Sequence, residues 1–142
     1  MFLSKSCEYA IRAAVYVACT TRKGRKAGIL EIAEAIGSPV HFTGKILQTL
    51  SRKRLLASVK GPAGGFYLEE DRPLLLIDII RAVDGEELFT RCAMGLHQCS
   101  DSKPCPVHEQ IKPIRNQLLT EFSKKSIHEM VPEFEQNRYF LK

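Results

Sequence analysis

A turn at Gly37 lies between two stretches of helical periodicity, and this arrangement constrains the fold more than any other feature of the chain. The segment Ile29–Ile36 has apolar residues at helical spacing and stops at Gly37, a residue typical of helix C-termini. After Ser38-Pro39, a second helix with one apolar and one polar face is predicted from about Val40 to Arg54. A short helix, a glycine turn and a polar-faced helix are typical of a helix-turn-helix, which places its second helix in the major groove of DNA.

A glycine-rich segment follows the second of these helices. Two short runs with strand propensity, Ala57–Lys60 and Phe66–Leu68, flank the segment Gly61–Gly65. Glycines at a hairpin tip permit positive φ and let the backbone come close to another molecule. A mobile surface hairpin is the simpler interpretation. After a helix-turn-helix, however, the pattern favours a β-hairpin wing that touches the phosphate backbone, with the contacts made by Lys60, Gly64 and Gly65.

The charge is distributed unevenly in a way that supports a nucleic-acid partner. The formal net charge is +5, and no Asp or Glu occurs between Gly37 and Leu68. The basic residues of that stretch are Lys45, Arg52, Lys53, Arg54 and Lys60. A basic stripe can be an ordinary solvated face, but next to a helix-turn-helix it predicts a surface for double-stranded DNA.

Two kinds of DNA contact are predicted from residue type and position. Lys and Gln side chains are the usual readers of guanine and adenine edges, so the base-contacting candidates on the outer face of the second helix are His41, Thr43, Lys45 and Gln48. Contacts to phosphates position a protein without reading sequence, and the candidates for these are Arg52, Lys53 and Lys60.

Three cysteines and a histidine crowd into the stretch Cys92-x6-Cys99-x5-Cys105-x2-His108. Gly95, Pro104 and Pro106 prevent a regular element there, and few apolar side chains are available to bury. Cysteine thiolates bind iron–sulfur clusters and zinc. Zinc sites usually space their cysteines more closely, so these intervals favour an iron–sulfur cluster over zinc, with a set of redox thiols as the other alternative.

The remaining elements complete a mainly α fold with a small β-hairpin wing. Further helices are predicted at Tyr9–Thr20, capped by Ser6, at Leu76–Val83, and at Glu109–Met130, a long amphipathic helix kinked or begun near Pro113. The expected parts are a winged helix-turn-helix domain (1–84), a cysteine-rich loop (85–108), a dimerisation helix (109–130) and a loosely held tail (131–142).

The composition points to a cytoplasmic protein. No secretory signal follows Met1, and the apolar run Ala10–Cys19 is interrupted by Arg12 and too short to span a bilayer. In that compartment free or metal-bound thiols are expected rather than disulfides, and five cysteines cannot all pair. Cys7 and Cys19 are expected to be buried structural thiols. A thiol enzyme using Cys105 and His108 is disfavoured because no oxyanion loop or third orienting group is evident.

The segments LSKSCEYAIRA, VKGPAGGFYL and IIRAVDG, together with the cysteine loop, resemble the iron–sulfur-cluster regulators, winged-helix bacterial transcription factors of the IscR and NsrR types. The match runs from about Leu3 to Met130. It implies a homodimer joined by the long helix, with a two-iron or four-iron cluster that is easily lost in air and can be missing from isolated protein.

By position, the resemblance implies that Cys92, Cys99 and Cys105 hold the cluster. The first interval is one residue longer than in the IscR type, which leaves the cluster type open. His108 stands where the IscR type has its fourth ligand, and Glu8 stands where the NsrR type has a carboxylate that reaches across the dimer. The expected signal is nitric oxide, redox state or iron–sulfur supply. The rival is a metal-free winged-helix regulator that responds to thiol oxidation or a protein partner; the operator and the direction of regulation stay open.

Overall fold

The computed structural model describes residues 2–136 and 140–142. In this part of the chain one antiparallel hairpin lies between three helices that precede it and four that follow it. Along the chain the elements are α1 (Lys5–Arg22), α2 (Ile29–Ile36), α3 (Val40–Arg52), β1 (Ala57–Val59), β2 (Gly65–Tyr67), α4 (Leu76–Val83), α5 (Glu87–Thr90), α6 (His108–Lys124) and α7 (Ile127–Glu135). The predicted mainly α class with a β-hairpin wing is confirmed.

Helix α1 is the central element of the larger core. Its alanines, among them Ala10, Ala13 and Ala14, are fully buried, and their small side chains let α2, α3 and α7 pack closely around it. The helix starts four residues before the predicted position. Ser4, in extended conformation, is its N-cap and accepts a hydrogen bond from the Cys7 backbone N–H at 3.0 Å. Ser6, the predicted cap, lies inside the first turn.

The predicted helix-turn-helix is formed by α2 and α3. Gly37 takes the left-handed conformation with φ +65°, and its N–H bonds to the carbonyls that close α2. Ile36, Leu47 and Leu50 are fully buried between the two helices and α1. Helix α3 ends at Arg52 instead of the predicted Arg54, because Arg54 adopts a positive φ of 58° that cannot continue a right-handed helix.

The hairpin formed by β1 and β2 is the predicted wing, and its strands end one residue earlier than expected. Val59 pairs with Gly65 and Ala57 pairs with Tyr67. Phe66 also exchanges two backbone hydrogen bonds with Ala27, at 2.8 and 3.0 Å, so the wing is tied to the segment that precedes α2. This attachment fixes the wing beside the helix-turn-helix.

The predicted long helix from Glu109 to Met130 is two helices. α6 begins at His108, continues through Pro113 and ends at Lys124, and α7 begins at Ile127. The break follows from a capping box: the Ser126 hydroxyl accepts from the Glu129 N–H at 3.2 Å, and the Glu129 carboxylate accepts from the Ser126 N–H at 2.8 Å. Backbone hydrogen bonds from Leu76 to Lys125 and from Ile127 to Leu74 clamp this joint to the start of α4.

The C-terminal segment is attached to the core rather than loosely held. Ile127 and Val131 of α7 are buried against α1. The Arg12 guanidinium donates to the carbonyls of Ile36 and Leu141 at 3.3 and 3.1 Å, and Leu141 packs on the same core. Part of the predicted tail, residues 137–139, lies outside the described residues, as does Met1. In the described part of the chain, none of the helices combines the length and hydropathy needed to cross a membrane.

Candidate DNA-reading face and cysteine loop

The outer face of α3 presents polar side chains to solvent. His41, Lys45, Gln48 and Arg52 are all exposed, while Ile46, Leu47 and Leu50 point into the core. His41 stands in the first turn of the helix, where a recognition helix contacts base edges. The structure therefore leaves these four side chains free to meet a partner on one face.

Thr43 does not belong to this face. Its side chain is fully buried, and its hydroxyl donates to the Pro39 carbonyl at 3.0 Å. Thr43 stands four residues before Leu47, so the two share the inner face of α3. The prediction that Thr43 contacts DNA bases was wrong, because position 43 belongs to the inner face of α3 and not to the outer face on which it was placed.

A groove runs between α3 and the wing. Its lining includes Gln48, Ser51, Arg52, Ser58, Lys60 and Phe66, and its volume is about 360 Å³. Lys53 is exposed just beyond the end of α3, and Lys60 is exposed at the base of the wing tip. Of the predicted phosphate-contacting residues, Arg52 and Lys60 thus line one concave surface, and Lys53 is exposed outside its lining.

The wing glycines have a structural reason of their own. A Cβ on Gly64 would overlap the Val59 carbonyl, and a Cβ on Gly65, which has φ +143°, would lie 2.8 Å from the Ala27 carbonyl oxygen. Both glycines are therefore required by close approach within the wing and to residue 27. This requirement does not depend on DNA.

Cys92 lies at the start of the loop that connects α5 to α6. It is buried, and the backbone N–H groups of Leu96 and Met94 hold the pKa of its thiol below the usual value, with a further contribution from the Cys105 side chain. A turn closed by the Gly95 N–H and the Cys92 carbonyl, with Gly95 at φ +73°, directs these donors at the sulfur. The loop thus surrounds this sulfur with groups that favour its negative form.

His108, the first residue of α6, contacts the loop through both nitrogens of its ring. Its side chain is only 3% exposed, with Nδ1 at 3.4 Å from the Cys99 Sγ and Nε2 at 2.7 Å from an Asp101 carboxylate oxygen. Lys112 donates to both Asp101 oxygens, at 2.5 and 2.7 Å. Hydrogen bonds to Lys112, which has the larger effect, and to His108 hold the pKa of the Asp101 carboxyl below its usual range.

Arg115 of α6 also contacts the loop. Its guanidinium donates to the Cys99 Sγ at 2.9 Å and to the Arg91 carbonyl, and its Nε is buried without a hydrogen-bond partner. Sequence reasoning missed Asp101, Lys112 and Arg115. The two basic residues could have been found from helical spacing, since they follow His108 by four and seven residues on α6; nothing in the pattern marked Asp101.

The structure brings the four loop donors together as two pairs. Cys92 neighbours Cys105, and Cys99 neighbours His108. Within residues 2–136 and 140–142, no group of three or more His, Cys, Asp or Glu side chains is gathered closely enough to hold a metal ion. The donor set nevertheless fits an iron–sulfur cluster in its chemistry, because three free thiols share one loop and cationic or N–H donors face the Cys92 and Cys99 sulfurs.

Glu8, the rival fourth ligand, lies in the first turn of α1. Its carboxylate is paired with the Lys5 ammonium at 3.3 Å. Within the single chain the Glu8 carboxylate therefore pairs with a residue of its own helix. To act as the NsrR-type carboxylate that reaches across the dimer, it would need a second copy of the chain.

The two cysteines outside the loop have a different environment. Burial, with the nearby charges of Asp84 and Glu8, raises the pKa of Cys7 to about 12. Burial also raises the pKa of the Cys19 thiol. Both shifts favour the neutral thiol. Cys7 is buried as expected, whereas Cys19 is only half-buried.

Comparison with known proteins agrees with this architecture. A family model described as an iron-dependent transcriptional regulator, Rrf2, matches residues 3–133. A protein of Aquifex aeolicus named as an HTH-type transcriptional regulator is 30% identical over 134 residues, 92% of each chain. The HTH-type transcriptional regulator IscR of Photorhabdus laumondii is 27% identical over 132 residues, which cover 92% of this chain and 79% of that protein.

The fold also has a solved counterpart. CymR (YrzC), the global cysteine regulator of B. subtilis, superposes with a TM-score of 0.73 at 16% identity over 93% of this chain and 97% of its own. At that identity the likeness concerns the fold. The names of the sequence relatives confirm the expectation of a regulator rather than an enzyme. With a match that spans residues 3–133, this chain belongs to the Rrf2 family of iron-dependent transcriptional regulators, a winged-helix family that binds DNA.

Proposed function

We propose that this regulator senses nitric oxide, redox state or iron–sulfur status through an iron–sulfur cluster held by the loop between α5 and α6. The observation that carries the proposal is the attachment of this three-cysteine loop to α6. His108, Lys112 and Arg115 of α6 all contact loop residues, and α6 packs on α4. A change in the loop therefore acts directly on a helix of the folded body.

The cluster ligands proposed are Cys92, Cys99 and Cys105, with His108 or Glu8 as the fourth. Three thiolates match the preference of iron–sulfur clusters, and a fourth ligand held less tightly than these could be displaced by nitric oxide or oxygen. When bound, the cluster supplies redox and ligand-exchange chemistry. The chain itself supplies the N–H groups and cations that stabilise the sulfur charges.

The DNA contacts proposed follow from the exposed face of α3 and the wing. His41, Lys45 and Gln48 would read bases, and Arg52, Lys53 and Lys60 would contact phosphates. Support comes from Gln48, Arg52 and Lys60, which line the groove between α3 and the wing, and from the exposure of His41, Lys45 and Lys53. Gly64 and Gly65 would let the wing backbone approach the DNA, in addition to their role inside the wing.

The route between the two sites runs through α4. Leu118, Leu119 and Phe122 of α6 pack on the core cluster that contains Ile77 and Ile80 of α4. Helix α4 in turn contacts α1 and α3. Ordering or release of the loop would shift α6 against α4, which is the kind of local order change that alters a neighbouring interface.

We further propose a homodimer that pairs through α6. Ile114 is 55% exposed on this helix, and of all its residues only His108 is buried in the single chain. An amphipathic helix that leaves apolar side chains uncovered is completed by packing against a second copy.

A metal-free thiol switch is the second candidate. It is favoured by the contact between Cys92 and Cys105, which brings two thiols together without any metal. Oxidation of that pair by hydrogen peroxide would form a disulfide, and each peroxide molecule would take up the two thiol protons and be reduced to two water molecules.

The two candidates are separated by preparing the full chain without oxygen and measuring iron, acid-labile sulfide, absorption and electron paramagnetic resonance. We expect iron and sulfide in the wild type and in Cys19→Ser, and their loss in Cys105→Ser. Loaded and metal-free protein should differ in DNA affinity by about 5- to 150-fold, the usual range of allosteric coupling. A colourless wild type, or equal affinities, would reject the cluster function.

A further inference from the structure

We propose that Asp101 is the positioning residue of the cysteine loop: it holds the His108 proton on Nε2 and so presents Nδ1 to the cysteines as the nitrogen that binds iron. The inference rests on the cluster function proposed above. It identifies a residue outside the predicted ligand set and chooses between the two nitrogens of one ligand.

The first step is the burial of the imidazole. With 3% of its side chain exposed, His108 has both ring nitrogens engaged by protein atoms, Nδ1 by the Cys99 sulfur and Nε2 by the Asp101 carboxylate. The His108 backbone N–H also donates to the Cys105 carbonyl at 3.0 Å. Ring and backbone are thus fixed to the same loop, and the ring cannot turn over without losing both side-chain contacts.

The second step is the protonation of the ring. The Lys112 ammonium donates to both Asp101 oxygens, at 2.5 and 2.7 Å, so both oxygens are acceptors in this cluster. The nitrogen that faces the carboxylate, Nε2, must therefore be the donor. In the neutral imidazole Nδ1 then carries a lone pair, and it can bind iron without first losing a proton.

The third step is the direction of that lone pair. Nδ1 lies 3.4 Å from the Cys99 Sγ, whereas Nε2 points to an aspartate that is 72% exposed. The ligand nitrogen is thereby on the side of Cys99, one of the three predicted cluster cysteines. A carboxylate on the far nitrogen of a ligating histidine is a recurrent arrangement that fixes tautomer and ring orientation.

The test begins with metal-free full-length protein labelled with ¹⁵N-histidine. Nitrogen chemical shifts distinguish a protonated from an unprotonated ring nitrogen. We expect the Nε2-protonated form of His108 in the wild type and a mixture of both forms in Asp101→Ala. Asp101→Glu should restore the wild-type form, and Ser102→Ala, whose hydroxyl is paired with Ser100 at 2.8 Å, should keep it.

The second readout uses anaerobically loaded protein. Reduced samples carrying histidine labelled only at Nδ1 should show the label coupled to the electron spin, and Asp101→Ala should release its cluster to a chelator about 10-fold faster or more. Coupling from Nε2, no histidine coupling, or an unchanged tautomer in Asp101→Ala would overturn the inference. A wild type that takes up no cluster would defeat the proposed function and the iron-binding half, while the metal-free shifts would still decide whether Asp101 positions His108.

Discussion

The helix-turn-helix body and the cysteine loop are held together by different forces. The body buries a continuous apolar cluster from Ala10 to Val131, including fully buried Ile36, Leu47 and Leu50. Between Cys92 and His108 the buried residues are these two alone, and polar contacts from α6 hold the rest. Apolar side chains offer nothing for oxidation or metal binding to act on, whereas thiols and charged groups are the groups that both reactions change. In the proposed function, the packed body therefore supplies the stability and the loop supplies the response to the signal.

The largest effect should come from opening the packed body. Leu47→Ala removes a fully buried side chain from α3 and is expected to lower the free energy of unfolding by about 2–5 kcal/mol. Denaturant unfolding of metal-free protein measures this. Leu30→Ala, at a residue that is 72% exposed, serves as the control and should change it by no more than about 0.5 kcal/mol. Equal effects at both positions would contradict the packing described.

The second prediction concerns the buried thiol of α1. Because the pKa of Cys7 rises to about 12 from 9.0 in the folded state, its contribution to stability is complete below pH 9 and is lost as pH rises towards 12. Relative to Cys7→Ala, the wild type should lose up to about 4 kcal/mol of unfolding free energy across that range. Unfolding curves at several pH values give the difference, and parallel curves would show that Cys7 is not desolvated.

The third prediction separates base reading from phosphate contact on the body. Gln48→Ala should reduce discrimination between operator sequences by about 1–3 kcal/mol. Lys60→Ala should weaken binding to all sequences alike and reduce the slope of log affinity against log salt by about one unit. Binding titrations over a salt series measure both, with Thr43→Ser as the control that leaves sequence preference unchanged. Identical behaviour of the Gln48 and Lys60 variants would refute the division of roles.

The smallest global effect is expected in the loop. Lys112→Ala removes a partly exposed ion pair, which is worth about 0–1 kcal/mol, so global unfolding should hardly change. Hydrogen exchange between Cys92 and His108 should nevertheless become faster, because the carboxylate that holds the loop to α6 loses its cation. Lys124→Ala, which removes a surface pair on the same helix, should leave the loop unaffected. A large loss of global stability in Lys112→Ala would mean that the loop is part of the packed body.

The sequence pattern predicted the body well because its signals are local. The first and last residues of α2 and of α4 were predicted correctly. Apolar periodicity marks each helix, and a glycine or an aspartate follows its last residue. The capping box at Ser126 was overlooked in an apolar pattern that continued across it, and α6 and α7 were therefore merged. Thr43 was misplaced because a β-branched hydroxyl can satisfy itself on a backbone carbonyl and be buried.

The loop was predicted in identity but not in arrangement. Spacing marked Cys92, Cys99, Cys105 and His108 as candidate donors. Which of them lie next to each other depends on contacts between the loop and α6, which spacing does not give. Asp101 interacts with His108 and Lys112 through distances that no periodic pattern encodes. Side chains held by a few polar contacts leave no repeating signal in the chain, so the positioning residue emerged only from the folded geometry.

The clamped joint between α6 and α7 has a consequence for operator design. Because Lys125 and Ile127 are hydrogen-bonded to the start of α4, and α4 packs on α3, the end of α6 cannot move freely relative to α3. In the proposed dimer the two recognition helices would then stand at a set separation about the two-fold axis. We expect an inverted-repeat operator whose half-sites tolerate base changes one at a time, but whose spacer tolerates no insertion of half a DNA turn.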